Sequence, residues 1–105
     1  MARKRRDNDA AVAAIRASLQ HRAFASALQA SELQLAKHAA DAELWGLKGQ
    51  ALQGLERWAD AEACFLRGLE SSPGNARLLV LQGHLYTRLG RGQEAIASYS
   101  RALGK

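Results

Sequence analysis

Three histidines, one cysteine and ten carboxylates are the groups in this sequence that could carry chemistry. A zinc site draws its ligands from Cys, His and carboxylate at short, patterned spacings. His21, His38 and His84 stand far apart, with no i, i+4 pairing and no cysteine beside them. Cys64 is the sole cysteine, so no intrachain disulfide can form; next to Phe65 in an apolar stretch, it reads as a small packing residue. No serine lies in the G-x-S-x-G turn that presents a hydrolase nucleophile. Gly90-Arg91-Gly92 has no strand before it, so it reads as a turn and not a dinucleotide loop. His21 and His38 are expected near helix ends, where an imidazole is harmless or mildly favourable. No metal ligand, cofactor site or catalytic residue is assigned, and the chain is read as a non-enzyme.

A different pattern carries content. Arg77, Leu81, His84 and Arg88 follow one another at spacings of 4, 3 and 4, which places them on one face of a helix. Displaced by 34 towards the N-terminus, the same stripe is Glu43, Leu47, Gln50 and Gly54, with Gln53 beside it. Displaced by 34 once more, it is Asp9, Ala13, Arg16 and Gln20. Apolar Leu47 and Leu81 stand among the donors Arg16, Gln50, His84 and Arg88.

These stripes belong to a larger echo. Ala27, Ala61 and Ala95 recur at a spacing of 34, and so do Leu35, Leu69 and Leu103. At the same offset Gly49 pairs with Gly83, Phe65 with Tyr99, Phe24 with Trp58, Trp45 with Leu79 and Leu52 with Tyr86. A fixed period of this length is the mark of stacked helical repeats. Each unit divides in two: helices are predicted over about Ala42–Gly54 and Trp58–Ser71, then Ala76–Arg88 and Gly92–Leu103. Pro73-Gly74 ends one unit, because proline lacks a donor and glycine tolerates positive φ. Asp41 and Asn75, again 34 apart, stand where N-cap acceptors are needed. Trp45, Gly49 and Leu52 share one face, as do Leu79, Gly83 and Tyr86, and both faces are expected in the core. A glycine inside a helix costs about 1 kcal/mol against alanine, so its recurrence implies a large group pressing there.

The second unit, with Trp45, Gly49, Leu52, Ala61, Phe65 and Pro73, resembles the tetratricopeptide repeat (TPR) family, whose pattern is W-x2-L-G-x2-Y, A-x3-F, P. The third unit matches with Leu79, Gly83, Tyr86, Ala95, Tyr99 and Ala102; Lys48 and Gln82 depart from the leucine before the glycine. The first unit is degenerate: Phe24, Ala27 and Leu35 fit, whereas Ala11, Ile15 and Ser31 do not. The resemblance implies an all-α, right-handed α-solenoid of three helix-turn-helix repeats, six antiparallel helices in all. The units would be about 8–41, 42–75 and 76–105, preceded by a tail over 1–7. It also implies a concave groove lined by the first helix of each pair. The residues expected to line it are Arg16, Leu47, Gln50, Gln53, Arg77, Leu81, His84 and Arg88. One TPR subgroup clamps chaperone C-termini with lysine, asparagine and arginine. The matching positions here are Val12, Arg16, Leu47, Arg77 and Leu81, with no asparagine, so that activity is not transferred.

Charge narrows the partner. The net charge is +5, yet Arg3, Lys4, Arg5 and Arg6 supply four of those charges, and from Asp7 onward 11 basic residues face 10 acidic ones. The tail reads as solvated and disordered, and the near-neutral body lacks the positive face that phosphate binding needs. No signal peptide and no membrane-length apolar run is seen, so a cytoplasmic location is expected. The expected function is a protein–protein interaction module, or scaffold, that holds a partner peptide or helix in the groove. The alternative is a non-catalytic N-terminal accessory domain of a larger bacterial enzyme such as a transferase. Ile96, Tyr99 and Leu103 are expected to leave apolar surface on the last helix, enough for a weak homodimer.

Overall fold

The computed structural model describes residues 9–104, so the predicted basic tail lies outside the described residues. Six helices follow one another: α1 (Asp9–Gln20), α2 (Phe24–Lys37), α3 (Ala42–Gly54), α4 (Trp58–Ser71), α5 (Ala76–Arg88) and α6 (Gly92–Ala102). No strand occurs among the described residues. The helices pack as three pairs, α1–α2, α3–α4 and α5–α6, stacked into an all-α solenoid. Helix α3 touches both α1 and α5, whereas the backbones of α2, α4 and α6 do not approach one another. The first helices are thus the inner layer of the stack and the second helices the outer one.

Caps begin the two well-formed pairs. The Asp41 carboxylate accepts from the N–H groups of Glu43 and Leu44, and the Asn75 side-chain oxygen accepts from Leu78 N–H. Both serve amide donors that have no intrahelical partner. Gly74, expected to need positive φ, does not adopt it; the left-handed glycines are Gly90 and Gly104.

Inside the second and third pairs, bare backbone meets a ring. A Cβ added to Gly49 would lie 2.3 Å from the Phe65 ring, and one added to Gly83 would lie 2.5 Å from the Tyr99 ring. Those rings are themselves one repeat apart, so the repeat spacing records a repeated contact. Between pairs, Leu35 clusters with Leu44 of the next helix, and Leu69 with Leu78. Leu35 and Leu69 are 6% and 8% exposed, while their equivalent Leu103 is 74% exposed because no helix follows it among the described residues.

Trp45 departs from its expected core position. It is half-buried at the rim, donates from its indole N–H to the Ala39 carbonyl at 2.7 Å, and has the cations of Lys48 and Arg67 over its ring at 5.4 and 5.1 Å. Lys48 also pairs with Glu32 of α2 at 3.5 Å. Gln82 is buried and accepts from the Ser98 hydroxyl at 2.9 Å, so its amide oxygen is satisfied across α5 and α6. The second and third pairs are tied by a polar cluster. Tyr86 donates to Glu62 at 2.9 Å, and Arg91, with its guanidinium 4.5 Å from the Tyr86 ring centre, reaches both Glu62 and Glu94.

Two outcomes are expected. Gly49→Ala should destabilise by about 1–3 kcal/mol, the range for overpacking, because Phe65 is fully buried and cannot yield. Gly83→Ala should cost less, because Tyr99 is only partly buried and can move; urea titration of the two variants checks this order. The second outcome concerns pH. Burial, and then the bond to Glu62, push the Tyr86 hydroxyl up to about 12 from 10. Its contribution to stability is complete below about pH 10, where the unfolded chain begins to ionise, and is lost as pH rises towards 12. Wild type should therefore lose stability relative to Tyr86→Phe across that window, read by denaturant titration at successive pH values.

Candidate functional site

Every first helix ends in the same corner. The N–H groups of Ala23, Arg57 and Arg91 reach back to the carbonyls of Ser18, Leu52 and Tyr86 at 2.8, 2.9 and 2.8 Å. This is the six-to-one bond of a helix C-terminus closed by a left-handed residue. The left-handed residues are Arg22 (φ 60°), Glu56 (φ 63°) and Gly90 (φ 74°), once more 34 apart. Glycine adopts this conformation freely, whereas a residue with a Cβ loses about 1–2 kcal/mol in it. Two of the three corners therefore keep a charged side chain at a conformational cost.

Both of those side chains line one cleft. It has a volume of about 310 Å³ and draws its walls from all three pairs. The first contributes Leu19, Arg22 and Phe24; the second Gln50, Gln53, Gly54, Glu56 and Trp58; the third Leu81, His84 and Arg88. Phe24 seats its ring on Gly54, where an added Cβ would lie 2.3 Å away. The guanidinium of Arg22 lies 5.5 Å from the Phe24 ring centre, and that of Arg88 lies 5.6 Å from the Trp58 ring centre. Phe24–Gly54 and Trp58–Arg88 are the same pair of positions one repeat apart, so one packing relation serves as a floor in the first case and a cationic rim in the second. His84 meets Tyr99 edge-on at 5.9 Å. The Gln50 amide oxygen is buried without a hydrogen-bond partner, an arrangement that costs about 1–3 kcal/mol unless a donor arrives.

Of the eight residues expected to line a groove, the structure gathers Gln50, Gln53, Leu81, His84 and Arg88 around this cleft. Leu47 is 1% exposed and belongs to the core with Val12, Ile15 and Leu44, so it supports the wall from behind. Its stripe position was ambiguous because a first helix has neighbours on two flanks, and one of them covers Leu47. Arg16 is exposed on α1 and pairs with Glu43 of α3, and Arg77 is exposed outside the cleft. The corner residues escaped the stripe because they lie beyond the ends of the first helices, Arg22 and Glu56 in the turns and Phe24 and Trp58 at the starts of α2 and α4. Their signal was the match, one repeat apart, of Phe24 with Trp58 and of Arg22 with Glu56 and Gly90.

A second cleft of about 260 Å³ opens on the outer side, between α2, α3 and α4. Its charges are largely spoken for: Glu32 pairs with Lys48, and Arg57 with Asp60 at 2.8 Å. Cys64 lies at its base, and burial pushes its thiol up, away from the reactive thiolate. No helix among the described residues is long and apolar enough to cross a membrane.

Comparison with known proteins gives a consistent picture. A sequence model of the family described as Tetratricopeptide repeat matches residues 47–105. No curated protein matches in sequence. Among solved structures, MamA 41-end from Desulfovibrio magneticus RS-1 is similar at TM-score 0.82 and 19% identity, over 90% of this chain and 54% of that one. The MamA RS-1 ArsTM double mutant is similar at TM-score 0.80 and 19% identity, over 90% and 53%. The second TPR of Spaghetti (RPAP3), bound to the HSP90 peptide SRMEEVD, is similar at TM-score 0.79 and 16% identity, over 90% and 87%. The chain spans about half the length of the MamA chains, and at these identities the likeness is one of fold.

The corner geometry yields a prediction. Glu56→Gly should raise stability by up to about 1 kcal/mol, the left-handed strain relieved less the added freedom of glycine when unfolded. Arg22→Gly should gain less, because it also loses the stacking on Phe24, and Gly90→Ala should destabilise. Thermal melts of the three variants give the order.

Proposed function

The chain belongs to the tetratricopeptide-repeat family, and on that premise we propose that it is a protein-interaction module that holds an extended segment of a partner along the groove of α1, α3 and α5. The observation that carries this reading is the cleft whose walls come from all three helix pairs. A pocket built from several elements of a rigid stack holds its shape before a ligand arrives, which lowers the ordering cost of binding. The cleft's volume is at the low end for ligand pockets, about 300–1,000 Å³, and suits one or two side chains of a longer segment. Gln50 and Gln53 offer amide groups of the kind that pair with a peptide backbone, and Phe24, Trp58 and Leu81 offer apolar surface.

The second TPR of RPAP3 holds a peptide on the same fold, which supports peptide capture as something this architecture can do. Its ligand is not carried over. Val12 and Leu47, at two of the clamp positions, are 4% and 1% exposed, and Arg16 at a third is engaged with Glu43.

Selection from a displayed library of random peptides tests the proposal. Wild type should enrich a common motif. Gln50→Ala combined with His84→Glu should abolish the enrichment, while Arg67→Glu on the outer face should leave it intact. Equal enrichment by wild type and the groove variant would defeat the reading.

A further inference from the structure

We propose that the cleft between the first two corners recognises an acidic side chain next to an apolar one on an extended peptide. This rests on the peptide-binding reading above and adds the chemistry of the ligand.

The cations come first. Arg22 and Arg88 stand at the cleft, each with its guanidinium over an aromatic ring, 5.5 and 5.6 Å from the ring centres of Phe24 and Trp58. Neither has a carboxylate partner among the described residues, unlike Arg16, Arg57 and Arg91. Cation–π attraction to a ring leaves the N–H edge of a guanidinium available to an anion. An edge of that kind matches a carboxylate with two parallel hydrogen bonds.

Conformational strain is the second observation, and it is independent of the first. The third corner uses Gly90, which shows that the fold accepts glycine at this position. Arg22 and Glu56 occupy the same position in left-handed backbone, and both line the cleft. Strained backbone of this sort clusters at ligand-binding sites.

The remaining groups separate a peptide from a nucleic acid. Gln50 and Gln53 line the cleft with amide groups, which pair with a peptide backbone. Glu56 adds a negative charge to the rim, which a single carboxylate tolerates against two arginines and a chain of phosphates does not. Leu19, Leu81 and the rings provide the apolar contact beside the anion.

Three fluorescein-labelled nonapeptides test this: one alternating Glu with Leu, one with every Glu changed to Gln, and one with every Glu changed to Lys. Binding is read by anisotropy, and by Trp58 emission in a Trp45→Phe background. The Glu peptide should bind at least tenfold more tightly than the Gln peptide, the Lys peptide should not bind, and the preference should shrink with salt. Arg22→Gln and Arg88→Gln should each weaken the Glu peptide at least fivefold, while Arg77→Gln, outside the cleft, should not. Equal binding of the Glu and Gln peptides would overturn the acidic preference and leave the peptide-binding reading standing. No binding by any peptide, or tighter binding of a labelled single-stranded oligoribonucleotide displaced by Arg88→Gln, would overturn both. Circular dichroism melts of each variant separate lost binding from lost folding.

Discussion

The seat of an aromatic ring on bare backbone sets the geometry of this fold. Phe65 lies where the Cβ of residue 49 would be, and Tyr99 lies where that of residue 83 would be. Glycine weakens a helix by about 1 kcal/mol, but here it lets the partner helix come close enough for a whole ring to be buried. The close approach within the second and third pairs follows from that contact, which the first pair, with Ile15 and Ser31 at the equivalent positions, lacks. The stacking of pairs then follows from Leu35 on Leu44 and from Leu69 on Leu78. Phe24 on Gly54 extends the same device from within a pair to between pairs, and it closes the floor of the inner cleft.

The cleft is a by-product of regularity. Corners that recur once per repeat bring Arg22, Glu56 and Gly90 into one row along the stack. Whatever side chains those corners carry must therefore face a common space. In the first two the sequence keeps charge where glycine would be easier, and Arg88 occupies, one repeat on, the place that Gly54 takes under Phe24. Small departures from the repeat, more than the repeat itself, give the surface its chemistry.

Most of the architecture was legible in the sequence, because a period of 34 is a pattern of residue types that needs no coordinates. Asp41, Asn75, Pro73 and the Gly90 turn fixed helix ends by their own chemistry, and Gly49 and Gly83 announced the rings that press on them. Side-chain environment was less legible. Trp45 sits on the repeat grid yet lies at a rim between two cations, because the grid specifies a position and not the depth of its cover. Leu47 shares a helical stripe with Gln50, yet a neighbouring helix buries it; a helical period cannot say which flank is covered. The corner residues were hidden for another reason. A left-handed Arg22 or Glu56 looks like any other charged residue until backbone dihedrals are known.

The two layers of the stack are not mechanically equivalent. The inner helices bear on one another from α1 to α3 to α5, while the outer helices stand apart. Each outer helix is held instead by the next inner one, α2 by α3 and α4 by α5, through Leu35 with Leu44 and Leu69 with Leu78, so these oblique seams set the curvature of the stack. A segment lying along the inner row would span all three pairs at once. Loosening either seam would change the spacing of the corners along the stack.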